Sequence, residues 1–375
     1  MKIGILTVPF NNNYGGFLQA FALKHILVNK GHEVLFINRR RNRPNRLKDV
    51  VYRLFVRWHL IKDKVAIMTA NISVNTNSFK NKYLTPITKE YYTASQLRKS
   101  LKLRLDCVIV GSDQVWRYKY AGDSIDDYFC NFLENKNISH FSYAASMGVD
   151  AMEYPDDKLN ICKRLLGSFS AISVREKSAA DLLERFFGQE NVTVVLDPTL
   201  LVDKSVYINL FKDNYPTPKE PYILTYILDD DSALNQEIEK IANKHNSCIV
   251  NLKAQTGDFN TVGVLRPVEE WLASIYYSDY IITDSYHGTV FSIIFHKPFT
   301  VFSNAERGTA RLTDLLTRLG AMGRIVSNAC EISDVMNEPI DWDNIDKNLN
   351  LHRVNSMNFL NTCLDNAKNE NTHSL

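Results

Sequence analysis

His287 and Arg175 are the side chains of this chain best suited to holding an anion. His287 lies in "TDSYHGTVFSIIFHKPF", residues 283–299, where an apolar strand passes through a polar turn into an apolar helix. A helix N-terminus offers unpaired N–H groups and a partial positive charge. Gly288 would let a ligand approach the backbone there, and His287 can add a charge or a proton. Asp284 or Ser285 as an ordinary N-cap, with His287 on the surface, accounts for the same residues. Arg175 ends the apolar run of "ISVRE" and suits bidentate contacts to carboxylate or phosphate; a salt bridge to Glu176 is the alternative. Arg311 opens the helix after "PFTVFSNAERGTA" and either points back to the same place or lies on the helix surface.

A second group suits a sugar. In "GSDQVW", 111–116, Asp113, Gln114 and Trp116 bring together a carboxylate, an amide and an aromatic face. The alternative is an aspartate cap and a core tryptophan. "NNNYGG" near the start adds Asn13, Gly15 and Gly16, whose glycines leave room for a bulky ligand. That stretch is not a GxGxxG fingerprint, and no Walker motif occurs, so nicotinamide cofactors and nucleoside triphosphates are not indicated. No metal cluster is apparent. "LDPTLL", 196–201, reads as a strand end closed by Pro198.

The elements that must position these residues alternate. "IGILTV", "EVLFIN", "LDCVIVGSD", "ISHFSYAASMG", "FSAISVRE" and "NVTVVLDP" read as strands, with helices at "FLQAFALKHILVNKG" and "SAADLLERFFG". A looser, proline-bearing stretch, "VDKSVYINLFKDNYPTPKEP", reads as the junction. The alternation then restarts with "PYILTYIL", "SCIVNL", "DYIITD" and "PFTVFS", separated by helical runs. Such βαβ units imply parallel sheets covered by helices. We place an N-terminal α/β domain at 1–202, a C-terminal α/β domain at 221–345 and a helical tail at 346–375. Ligands of such sheets bind beyond the carboxyl ends of the strands, where most of these polar clusters fall.

A chain of 375 residues, 45% hydrophobic and 23% charged, is long enough for two globular domains. A net charge of +2 argues against general nucleic-acid binding. Six scattered cysteines without CxxC spacing read as reduced and mostly buried, with neither zinc nor disulfides. No signal peptide or spanning run is evident, so a cytoplasmic location is expected. Residues 39–64 hold ten Lys/Arg against two Asp, and Leu54, Phe55, Trp58 and Ile61 form one apolar helical stripe. Such a helix either contacts an anionic membrane, packs on the first domain, or binds an anionic acceptor.

Taken in order, "NNNYGGFLQAFAL", "DCVIVGSDQVW", "SYAASMG", "ISVRE", "VLDPTLL", "ITDSYHGTVFSIIFHKPF" and "ARLTDLLTRLG" resemble the polysaccharide pyruvyl transferases. The resemblance implies two Rossmann-like domains facing a cleft, as in GT-B glycosyltransferases. It implies transfer of the pyruvyl group of phosphoenolpyruvate onto two hydroxyls of a sugar, with a cyclic ketal formed and phosphate released. It further implies that Arg175 and His287 hold this co-substrate, with Ser285 and Tyr286 lining the same pocket, where other members carry a basic or apolar residue. No separate cofactor is implied. The acceptor is expected against Asn13, Gly15, Gly16, Asp113, Gln114 and Trp116, as a sugar of a polysaccharide or lipid-linked precursor. The chemistry needs an acid at C3 of the donor, for which His287 is the candidate, and a base for the hydroxyls, for which Asp113 is. A nucleotide-sugar glycosyltransferase and a non-catalytic glycan or phosphate binder are the competing readings.

Overall fold

The computed structural model describes residues 1–10, 13–40, 74–229, 231–253, 265–303 and 309–372. The strands of the first half are β1 (Lys2–Leu6), β2 (Glu33–Ile37), β3 (Cys107–Val110), β4 (Ser139–Ser142), β5 (Ile172–Val174) and β6 (Val192–Val194). β1 to β4 form a sheet in the order β2-β1-β3-β4, every pair parallel. Bridges from Phe141 to Ala171 and from Ala145 to Val174 carry the order on to the parallel β5-β6 pair. β1 and β3 are almost wholly apolar and buried, as a strand covered on both faces must be.

The second sheet takes β7 (Tyr222–Tyr226), β8 (Cys248–Asn251), β9 (Tyr280–Thr283), β10 (Phe299–Phe302) and the short β11 (Ile325–Val326). Its order is β11-β10-β9-β7-β8, again parallel throughout. β8 is an edge strand, which leaves Cys248 exposed; Cys330 is also exposed, and the other four thiols are buried.

The α-helices of eight residues or more are numbered α1 (Tyr14–Asn29), α2 (Val74–Tyr83), α3 (Asp156–Leu166), α4 (Lys204–Phe211), α5 (Ser232–His245), α6 (Val268–Tyr277), α7 (Tyr286–Ile294), α8 (Ala310–Leu319) and α9 (Trp342–Thr372). α4 occupies the stretch read as a loose junction. Asp203 caps it through Ser205 N, and its buried Tyr207, Leu210 and Phe211 repeat at helical spacing. The prolines that suggested a linker all follow the helix. α9 begins on the second half, where Trp342 stacks on His296, and runs back to the first, where Phe359 meets Tyr143.

The halves share one apolar core. Tyr14, at the start of α1, stacks on Trp271 of α6 with centroids 5.2 Å apart, and its hydroxyl donates to the Arg266 carbonyl. Among the described residues no helix is long and apolar enough to cross a membrane. Of the basic run 39–64, Leu54, Phe55, Trp58 and Ile61 lie outside the described residues. Arg39 is not a surface arginine: it is buried, with Nε 2.6 Å from Asp127 Oδ2. Arg40 pairs with Glu90 at 3.0 Å.

Candidate active site

The carboxyl ends of four adjacent strands build the first side of the site. Arg175 directly follows β5 and is 1% exposed. Its Nη1 donates to Asp197 Oδ2 at 2.8 Å, and its Nη2 lies 3.5 Å from Asp113 Oδ1. Asp113 follows β3 in a left-handed conformation, φ 72°, which aims its carboxylate back across the sheet end. Glu176 accepts from Ser146 Oγ and from the N–H groups of Met147 and Gly148 beyond β4. The salt-bridge alternative for Arg175 is realised: Glu176 Oε2 is 3.7 Å from Arg175 Nε.

Asp197, three residues past the end of β6, is fully buried. Burial alone would push its carboxyl up, but His287, Arg175 and the Thr199 N–H outweigh this and hold it well below the usual carboxylate range. Its folded value lies below that of an unfolded aspartate, near 3.8. The stabilisation is therefore fully present above that pH and lost as pH falls through the folded value. Acid unfolding followed by tryptophan fluorescence should set in below about pH 4, with a weaker pH dependence in Asp197→Asn.

The second half contributes α7. Ser285 is its N-cap and accepts from Gly288 N at 3.3 Å. Gly288 serves packing rather than ligand approach: a Cβ there would lie 2.4 Å from Thr283 Oγ1, a hydroxyl fixed by its bond to the Tyr226 carbonyl. Asp284 crosses instead to accept from Leu228 N and Asp229 N. His287, in the first turn, is 6% exposed rather than on the surface. Its Nε2 is 3.6 Å from Asp197 Oδ2, an ion-pair distance too long for a hydrogen bond. The imidazole lies against Gly15 of α1, where a Cβ would fall 1.9 Å from Nδ1.

Unpartnered donors gather around Tyr286, beside two unpartnered acceptor oxygens, Glu176 Oε2 and Asp314 Oδ2, the latter 2.8 Å from Arg318 Nη2 in an ion pair. The Arg175 guanidinium stacks 4.2 Å from the centre of the Tyr286 ring, and that of Arg311 lies 5.9 Å away. Arg318 reaches in from α8 and donates to the Arg175 carbonyl at 2.9 Å. Arg175 Nε, Tyr286 Oη, His287 Nε2, Arg311 Nε and both Nε and Nη1 of Arg318 are buried without a hydrogen-bond partner among the described residues. Burial pushes the Tyr286 phenol up, against Arg175, so it stays a neutral O–H donor. Burial and then Arg175 depress the Arg311 guanidinium. An oxygen-rich anion is what such a set of donors can satisfy.

The residues expected for a sugar divide. Asn13 is exposed and donates to Asp113 Oδ2 at 3.0 Å, so Asn13 and Asp113 adjoin Arg175. Gly15 leaves no room for a ligand, because the His287 ring fills that space; this corrects its assignment to the acceptor. Gly16 lies buried in the first turn of α1, and its carbonyl accepts from Gln19. The Gln114 side chain is turned to Arg117, whose Nη1 donates to its Oε1 at 3.0 Å.

Trp116 is a core residue and offers no face to a sugar. It is 0% exposed, stacks on Phe129 at 5.0 Å and donates from Nε1 to the Tyr128 carbonyl. Trp116→Ala is expected to destabilise the fold by about 3–5 kcal/mol. The same variant should leave acceptor affinity of the folded fraction unchanged; thermal melting beside an acceptor titration checks this.

Sequence reasoning passed over Asp197 and Arg318 as site residues and took Glu176 only as a salt-bridge partner of Arg175. Asp197 had a signal: like Asp113 and Arg175, it is a charged residue just past an apolar strand. Arg318 had none, being one of several charges on a helix.

Two parallel-sheet halves joined by a returning C-terminal helix define the GT-B class of fold. The UDP-N-acetylglucosamine 2-epimerase of Rickettsia bellii is similar to this chain with a TM-score of 0.53 at 10% identity, over 99% of this chain and 98% of that one. The UDP-GlcNAc 2-epimerase of Methanocaldococcus jannaschii in complex with UDP-GlcNAc and UDP gives 0.50 at 12%, over 94% and 99%. The glycotransferase of kitacinnamycin also gives 0.50 at 12%, over 97% and 99%. At such identities the likeness is one of fold. No curated protein matches the chain in sequence. Residues 13–306 match the family model for polysaccharide pyruvyl transferase, and the chain belongs to that family of transferases.

Proposed function

We propose that this transferase moves the pyruvyl group of phosphoenolpyruvate onto two hydroxyls of one sugar, forming a cyclic ketal and releasing phosphate. The observation that carries the reading is the set of unpartnered buried donors contributed by Arg175, Tyr286, His287, Arg311 and Arg318. They come from both halves and suit an anion bearing phosphate and carboxylate oxygens close together.

His287 gives a proton to the methylene carbon C3, which leaves C2 electron-poor. The first sugar hydroxyl bonds to C2 and its proton passes to Asp113, which adjoins the exposed Asn13. The C2–O bond to phosphate breaks, with the electron pair leaving on the phosphate oxygen. The second hydroxyl then bonds to C2 and gives its proton to the departed phosphate oxygen, closing the ring. The arginines bind the departing phosphate and need no proton transfer of their own.

The acceptor in this proposal is a sugar of a polysaccharide or of its lipid-linked precursor, met at the inner face of the membrane. The run 39–64 would supply the contact with anionic lipid, through residues other than the paired Arg39 and Arg40. Sedimentation with anionic liposomes at low salt tests that part.

Phosphate release from phosphoenolpyruvate in the presence of sugar acceptors tests the main claim. Thermal stabilisation by phosphoenolpyruvate and not by UDP-sugars is expected. Stabilisation by UDP-sugars alone would replace this reading with a glycosyltransferase.

A further inference from the structure

Asp197 makes more directed contacts than closing a strand requires. Its Oδ1 accepts from Thr199 N at 3.0 Å and from Thr199 Oγ1 at 2.7 Å. Its Oδ2 accepts from Ser112 Oγ at 3.0 Å and Arg175 Nη1 at 2.8 Å, and faces His287 Nε2 at 3.6 Å. Ser112, Thr199 and Arg175 belong to the first half and His287 to the second. One oxygen therefore touches the arginine of one half and the histidine of the other.

We propose that Asp197 is a positioning residue that sets the Arg175 fork and the His287 imidazole at one fixed separation, so that both meet the donor anion together. For its kinetic consequences this rests on the phosphoenolpyruvate reading. The sign of the charge supplies the argument. A carboxylate beside an anion site repels the anion, so Asp197 works against donor affinity. A buried carboxylate kept there has its effect on geometry and on the chemical step. The other groups around it do not cancel its charge. Asp113 and Glu176 lie across Arg175, and the Tyr143 and Tyr207 phenols are pushed up by burial and stay neutral.

Asp197→Asn keeps the shape and removes the charge. The His287 ring-nitrogen signals of ¹⁵N-histidine-labelled protein, assigned by their loss in His287→Ala, are read without ligand. They should shift in Asp197→Asn while those of the other histidines stay. Calorimetry with phosphoenolpyruvate should show affinity unchanged or up to about tenfold tighter. Phosphate release should fall at least about 100-fold. Ser112→Ala, which frees the same oxygen without unpairing Arg175, should shift the same signals and lower turnover about tenfold; it decides the matter if Asp197→Asn does not fold. His287 signals unmoved in the folded variants would overturn the proposal. So would donor binding that weakens in step with turnover, the mark of a purely structural role. If the signals move but the wild-type chain neither binds nor turns over phosphoenolpyruvate, the donor reading fails and the positioning of His287 stands.

Discussion

Arg175→Ala is expected to abolish phosphate release from phosphoenolpyruvate, a loss on the order of 1000-fold or more in kcat/KM, about 4 kcal/mol of transition-state stabilisation. The guanidinium is buried, bonded to Asp197 and stacked on Tyr286, so nothing from solvent can replace it. The substitution also leaves Asp197 without its buried partner, which typically lowers stability by about 3–5 kcal/mol. Arg175→Lys separates the two effects. It keeps a charge for Asp197 but loses the planar fork, so it should fold and still lose at least about 100-fold in turnover. Steady-state phosphate release beside a thermal melt checks both variants. Near-normal turnover in either would remove Arg175 from the donor site.

The second large effect is expected from the smallest substitution. In Gly15→Ala the new methyl would fall 1.9 Å from His287 Nδ1, so the ring must move by more than an ångström. Alanine is favoured in a helix, so α1 itself should tolerate the change. Since misplacement of a catalytic group by about 1 Å is worth about 100-fold, turnover should fall by at least that factor while the melting temperature changes little. A double variant supplies the check. Once His287→Ala has removed the ring, adding Gly15→Ala should have no further effect on activity. Additive losses would mean that Gly15 acts elsewhere.

The alternation of apolar strands and helical runs was enough to predict both parallel sheets, because a strand covered on two faces must be apolar along its length. The N-cap at Ser285 was legible for a local reason: it bonds within its own turn. What escaped was non-local. That Gly15 exists for His287 cannot be read from either neighbourhood, since the contact forms only when the halves meet. Trp116 was ambiguous because a residue just past a strand can face the ligand end or fold under it. Here Phe129 and the Tyr128 carbonyl draw it under. Asp197 looked like the end of a strand because Pro198 follows it. The polar partners that reveal its place, Ser112, Arg175 and His287, are distant in sequence.

The 31-residue α9 works as a strut, about 46 Å long at the helical rise per residue. It is pinned to the second half by Trp342 and to the first by Phe359, while the chain also crosses between the halves near α4. Two covalent crossings leave the halves less freedom than a single tether would, and any opening must bend or unseat the rod. Partway along it, Ser356 Oγ accepts from Leu196 N, and Arg353 Nε donates to the Leu200 carbonyl. The peptide carrying Asp197 is thus clamped from behind by this helix. A tag after the helix leaves that clamp alone, whereas a truncation ahead of Arg353 releases it.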